Sequence, residues 1–282
     1  MRPIIAGVVI AAVVVVAVIG YGVAGFAFAQ SRLDAARNTY NAVVSHQNTI
    51  TDEFNSFDSK VTGVNVTSAS AADLKTNQDA YALLVAQSRA AQPTITSDNA
   101  SLATAQAGLR QNSWLTVFNR SSLDQASSKI DHERKALASA KTITGDLVQL
   151  GTFYQQFYTS LLDLDTLDMK TQANDLPGAA TAITALKSDI DKAIQLATAP
   201  GLPPEMKLFL TDFQTLAGDF GKLLNAAISG DANGANAGVA SVKADLVKIE
   251  SYDFDKMSTA IKGFYQPLID SFNSEVAKAN SM

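Results

Sequence analysis

The sequence predicts an all-α fold: an N-terminal transmembrane helix followed by long antiparallel helices that form one or two serial bundles. Three observations predict it. Apolar residues recur at alternating intervals of three and four from Leu33 onward, the period of a helix face. No stretch of useful length alternates apolar and polar residues as a half-buried strand would. No charged side chain occurs between Arg2 and Arg32, and the run from Ile4 to Phe28 is almost wholly Val, Ala, Ile and Gly.

That run comes first. A helix rises about 1.5 Å per residue and a bilayer's hydrocarbon is about 30 Å thick, so residues 4–28 are long enough to cross it. Residues 1–30 are therefore expected to attach the chain to a membrane. Ala27, Phe28 and Ala29 also form the small-x-small pattern that signal peptidases accept, followed by polar Gln30 and Ser31. Cleavage there would yield a secreted protein, but the apolar run exceeds the roughly 7 to 15 residues of a signal core, which favours a retained single-pass anchor. Charge counting is nearly balanced, with Arg2 and the amino group facing Arg32 and Arg37. The secretory pattern places the bulk of the chain outside the cytoplasm, at the cell envelope.

Beyond the anchor the helices follow in order. Leu33, Ala36, Tyr40, Val43, Gln47, Ile50, Phe54, Phe57 and Val61 form a heptad-like stripe with Gln47 as its one polar member. Gly63 ends it, and Ser68, Ser70 and Asp73 open a second helix that buries Leu74, Tyr81, Leu84, Val85 and Ser88. A kink or short break is expected at Pro93 before Leu102, Ala105 and Leu109 resume the stripe. Ser121 or Ser122 then caps a helix of about fifty residues, from Leu123 through Ile130, Leu137, Ile143, Leu147, Leu150, Tyr154, Phe157 and Leu161 to Leu164, which Gly145 or Gly151 is expected to bend.

Asn174 to Gly178 reads as the best boundary, dividing a first bundle, 31–174, from a second, 175–282. In the second, Ile183, Leu186, Ile190 and Ile194 precede a turn at Pro200 to Pro204. Met206, Phe209, Phe213, Leu216, Phe220, Leu223 and Ala227 follow. A Gly- and Asn-rich loop is expected from Ser229 to Gly238, then Val239, Val242, Leu246 and Ile249 lead toward Met257, Ile261, Phe264, Leu268 and Phe272. This last stretch reads equally as one long helix or as two with a bend at Ser251 to Asp255, and Pro267 is a further expected kink.

Composition excludes several chemistries. The net charge of -5 is spread without a basic stripe, so nucleic acid is not an expected partner. There is no Cys, hence no disulfide, thiolate nucleophile or Cys-ligated metal. Neither His46 nor His132 has a Glu three residues before it, and position 136 is Ala, so both read as solvated or capping histidines rather than metal ligands. Asp163, Asp165 and Asp168 read as the solvated side of a helix that buries Leu161, Leu164 and Leu167, and Asp231 to Gly234 as a turn with a helix cap. No nucleophile elbow or phosphate loop is present, and the chain has five Glu in all. No catalytic residue, cofactor or metal is assigned.

One turn attracts a functional expectation. Trp114, Leu115, Val117 and Phe118, flanked by Arg110 and Arg120, suit a membrane–water interface if the second helix returns toward the bilayer. They would equally plug the end of a bundle. Rings at Tyr154, Phe157 and Tyr158, or at Phe209, Phe213 and Phe220, are core by their spacing and could alternatively line a small-molecule site.

The stretch Tyr40-Asn41-Ala42-Val43-Val44, with Asn48, Ile50, Asp52, Phe54, Phe57 and Asp58, resembles the opening of the LemA family, in which a transmembrane helix precedes a Tyr-Asn-x-Leu-Val segment. The likeness covers about forty residues, from the anchor to Val61. The family's basic pair and its Asp-Leu-Ile-Pro-Asn-Leu-Val segment have no counterpart after Asp58. The resemblance implies an anchored helical bundle outside the cytoplasmic membrane. Together these readings lead to the expectation of a membrane-anchored extracytoplasmic bundle that contacts an unidentified protein partner without catalysis.

Overall fold

The computed structural model describes residues 31–58, 70–110 and 120–282. Among them are seven helices and no strand: α1 (Ser31–Asp58), α2 (Ala71–Arg110), α3 (Arg120–Gln172), α4 (Leu176–Leu196), α5 (Pro204–Ser229), α6 (Ala232–Glu250) and α7 (Phe254–Asn280). The protein is all-α. No helix among the described residues is long and apolar enough to cross a membrane, and residues 4–28 lie outside that description.

Local chemistry sets most helix ends. At the start of α2 the Asp73 amide donates to Ser70 Oγ at 3.2 Å while the Ser70 hydroxyl lies 2.7 Å from Asp73 Oδ2, a reciprocal cap. Helix α2 then runs unbroken through Pro93, so of the expected kink or short break the break is absent. Pro93 is exposed, which leaves the carbonyl that loses its amide partner on the solvent side. Helix α3 is likewise continuous for 53 residues, past Gly145 and Gly151. It stops at a tight corner where Asn174 takes a φ of 57° and Asp175 Oδ1 accepts from the Gly178 amide at 2.9 Å, starting α4.

The expected loop from Ser229 to Gly238 contracts to Gly230 and Asp231. Gly230 closes α5 in the left-handed region, at φ 72°, and Asp231 Oδ1 caps α6 through the Gly234 amide at 2.9 Å. The Asn and Gly residues that read as loop are helical because α6 lies almost on the α5 backbone. A Cβ at Gly238 would stand 2.9 Å from Leu223 Cβ and 3.0 Å from its Cα. Packing thus overrides weak helix propensity. Of the two readings of the C-terminal stretch, two helices is correct: α6 ends at Glu250, and Asp253 Oδ1 accepts from the Lys256 amide at 2.9 Å to begin α7. Helix α7 passes through Pro267 without a break.

The helices form two compact units. Residues 70–85 and 149–262 make one, called here the aromatic unit; residues 31–58, 86–110, 120–148 and 263–282 make the other, the polar-seam unit. The corner at Asp175 lies within the aromatic unit, so the expected parts 31–174 and 175–282 do not coincide with the compact ones. A Pro-Gly corner marks where a helix stops, whereas side-chain stripes decide which helices pack, and those of α2, α3 and α7 continue through both units.

In the aromatic unit, stacked rings fill the interior. Tyr81 lies 4.7 Å from Tyr154 and 5.8 Å from Tyr158, and Phe157 meets Phe209 edge-on at 6.1 Å. Gly151 lets α2 and α3 close together there, since a Cβ would lie 2.7 Å from Val85 Cγ2. The polar-seam unit has an aliphatic core of Ala36, Val43, Ile95, Leu102, Ile130 and Leu137, with Tyr40 at its margin.

Candidate functional site

The densest chemistry in the polar-seam unit is built on two stripe positions. Gln47 follows Ala36, Tyr40 and Val43 on the buried face of α1, and Glu133 sits between Ile130 and Leu137 on the buried face of α3. Gln47 Nε2 donates to Glu133 Oε1. The Tyr40 hydroxyl lies 3.5 Å from Asn280 Oδ1 and also serves Glu133, and Lys129 Nζ stands 4.7 Å from the centre of the Tyr40 ring. At the edge, His46 Nδ1 lies 2.9 Å from Asp98 Oδ1, while Asp98 Oδ2 is buried without a hydrogen-bond partner.

Burial raises the pKa of the Glu133 carboxyl; hydrogen bonds from Gln47 and Tyr40 and the charge of Lys129 oppose the rise, and the nearby Asp98 carboxylate adds to it. Burial, and after it Glu133, pushes the Tyr40 phenol far upward, and burial lowers Lys129. The arrangement surrounds one buried acid with donors and ties α1, α2 and α3 in a single register. Beside it, Arg134 donates to Asn99 Oδ1 at 3.0 Å and Gln106 Oε1 at 2.9 Å, and Gln106 Nε2 donates to the Ser127 carbonyl at 3.0 Å.

The two expected solvated or capping histidines differ: His46 is exposed, as expected, whereas the His132 side chain is largely buried. His46 pairs with Asp98, and His132 Nδ1 lies 2.7 Å from Glu275 Oε2, each partner coming from another helix. Among the described residues no three His, Asp or Glu side chains converge where a metal ion could sit. The acidic side of α3 also differs from expectation. Leu164 is exposed, whereas Asp163 shares the inward face of Ser160 and Leu167 and meets Asp189 of α4. Burial, then the hydrogen bond and charge of Asp189, raise Asp163 to about 6. Asp189 stays low against the effect of its own burial because hydrogen bonds from Lys192, at 2.6 Å, and from Asp163 favour its charged form.

The second feature is a surface of the aromatic unit. Val239 and Leu246 belong to the stripe expected in the core, yet they are 41% and 43% exposed, with Val247 at 68% beside them. Val242 and Ile249 of the same stripe are partly buried as expected, and Gly238 explains why the other two are not. Its close approach to Leu223 turns Gly238, Val242, Asp245 and Ile249 toward α5, and residues 239 and 246 fall about 100° away around the helix. Asp245 is the buried residue of α6, and its Oδ2 has no hydrogen-bond partner.

Of the residues expected at a membrane interface, Arg110 is exposed and its Nη2 donates to Ser127 Oγ at 3.2 Å. Trp114, Leu115, Val117, Phe118 and the Arg120 side chain lie outside the described residues, as do Ala27 and Ala29 of the cleavage pattern. Sequence reading missed Glu133 as a buried acid. Its signal was the three- and four-residue spacing from Ile130 and to Leu137 that it shares with the core.

No protein-family model, curated protein or solved structure matches this chain.

Proposed function

We propose that the chain is a membrane-attached helical-bundle module of the cell envelope that works by contact rather than by turnover. The uncharged run from Ile4 to Phe28 carries this reading: Ala29 and Gln30 alone separate it from Ser31, where α1 begins. The apolar side chains that α6 turns outward support it, being contact surface left over after the interior is filled. The resemblance to the LemA opening points the same way. Use of the rings as a small-molecule site finds less support, because Tyr81, Tyr154, Phe157 and Phe209 lie 4.7 to 6.1 Å from ring neighbours and spend their faces on one another.

Cell fractionation with an alkaline wash, protease treatment of intact cells and mass measurement of the mature amino terminus test the reading together. The expected result is a chain that stays with membranes, keeps residues 4–28 and is digested from outside the cell. Recovery from the cytosol overturns the proposal. A mature protein beginning at Gln30 in the medium replaces the anchor with secretion.

A further inference from the structure

We propose that α6 is a self-association face, on which two copies of the chain pack α6 antiparallel about a two-fold axis passing between Leu246 and Val247. The occupant follows from charge. Residues 239, 243, 246 and 250 recur at intervals of four, three and four, which sets them in one seam along the helix, and this seam reads Val239, Lys243, Leu246, Glu250 with Val247 beside it. All five are exposed. The adjoining face, about 100° around the helix, is committed to α5 by the contact of Gly238 with Leu223. Neither Lys243 nor Glu250 has an ion-pair partner among the described residues.

Lys243 and Glu250 each lie three residues outside the central Leu246–Val247 pair, on opposite sides of it. An antiparallel two-fold therefore brings Lys243 against Glu250 of the second copy, and Glu250 against Lys243 of the second copy, while Leu246 and Val247 cover one another. Such an isologous contact is self-complementary by symmetry. Parallel packing would oppose like charges, and an anionic lipid surface would repel Glu250, so neither fits the seam as well.

The inference deepens the contact-module reading by naming a second copy as partner, and the two fail separately: a monomer retained on membranes overturns the dimer alone, and a cytosolic dimer overturns the attachment alone. The test uses the full chain in detergent. Because the chain has no Cys, single-cysteine variants report geometry without background. Leu246→Cys is expected to form a disulfide-linked dimer under mild oxidation. Val239→Cys is not, because its two copies would stand about 20 Å apart along the helices. By analytical ultracentrifugation, Lys243→Glu and Glu250→Lys each weaken the dimer about tenfold, and combining them restores it to within about threefold of the parent. Circular dichroism verifies that each variant keeps its helix. A chain that stays monomeric, two cysteine variants that link equally, or a double charge swap no better than either single one overturns the proposal. So does a monomer whose binding to phosphatidylglycerol vesicles rises with Glu250→Lys, which would assign the face to lipid.

Discussion

Gln47 of α1 donates a hydrogen bond to the carboxylate of Glu133 on α3, 86 residues further along the chain, inside the polar-seam unit. Glu133 is 1% exposed and Gln47 5% exposed, so neither can exchange its partner for bulk water. A buried acid is tolerated when donors surround it, and removing one donor costs more than replacing the whole pair by apolar groups. Gln47 and Glu133 therefore specify which residues of α1 and α3 face each other, more than they add to net stability.

Replacing one partner and then both separates those roles. Gln47→Leu is expected to lower unfolding free energy by about 3 kcal/mol, since it strands the carboxyl. Adding Glu133→Leu is expected to recover at least about 1 kcal/mol. Denaturant titration of the single and double variants measures the coupling, and simple addition of the two losses would refute it.

The Asp163–Asp189 contact makes stability depend on pH. Asp163 titrates near 6 when folded, above its ordinary value of 3.8, so the folded chain holds a proton that the unfolded chain has released. Its contribution is thus present below the ordinary value and is lost as pH rises through about 6. Lys192 faces the pair and favours the charged form of Asp189. Asp163→Asn is expected to be relatively more stable than the parent at pH 8 than at pH 5. Thermal melts at both pH values measure this, and a constant difference rules it out.

Three glycines predict opposite signs for the same change. Gly238→Ala drives a methyl into the Leu223 backbone and Gly151→Ala drives one into Val85, and each is expected to cost about 1 to 3 kcal/mol. Gly238→Ala is the worse of the two, since a backbone atom cannot rotate aside. Gly218→Ala meets nothing within 4 Å and is expected to stabilise by up to about 1 kcal/mol through helix propensity. Melting temperatures of the three variants, ranked, decide the matter.

The contact between His132 and Glu275 gives a fourth expectation. Hydrogen bonds from His132 and Lys278 hold Glu275 below the usual carboxylate range. A depressed carboxylate contributes stability at neutral pH that is lost as pH falls through its folded value. His132→Ala is expected to shift acid unfolding to higher pH, followed by far-ultraviolet dichroism. An unchanged acid midpoint would show that the pair contributes nothing.

Elements decided by local chemistry were legible in the chain. Ser70 with Asp73, and Asp231 with Gly234, announce helix starts through side-chain oxygens within one turn of the amides they cap. The stripes of α1 and of α3 as far as Leu161 could be read because 3.6-residue periodicity is intrinsic to the helix. Which face of α6 turns inward could not, because Gly238 draws its meaning from Leu223, a residue of another helix. The same holds for the polar seam. Glu133 looks like a surface residue by type, and its burial depends on Gln47 and Tyr40 arriving from α1.

The two-residue joint of Gly230 and Asp231 leaves no slack between α5 and α6. The same α5 carries Phe209 and Phe213, whose rings lie 5.9 Å apart in the interior. So short a connection fixes the register of the hairpin, which sets Gly238 of α6 beside Leu223 of α5.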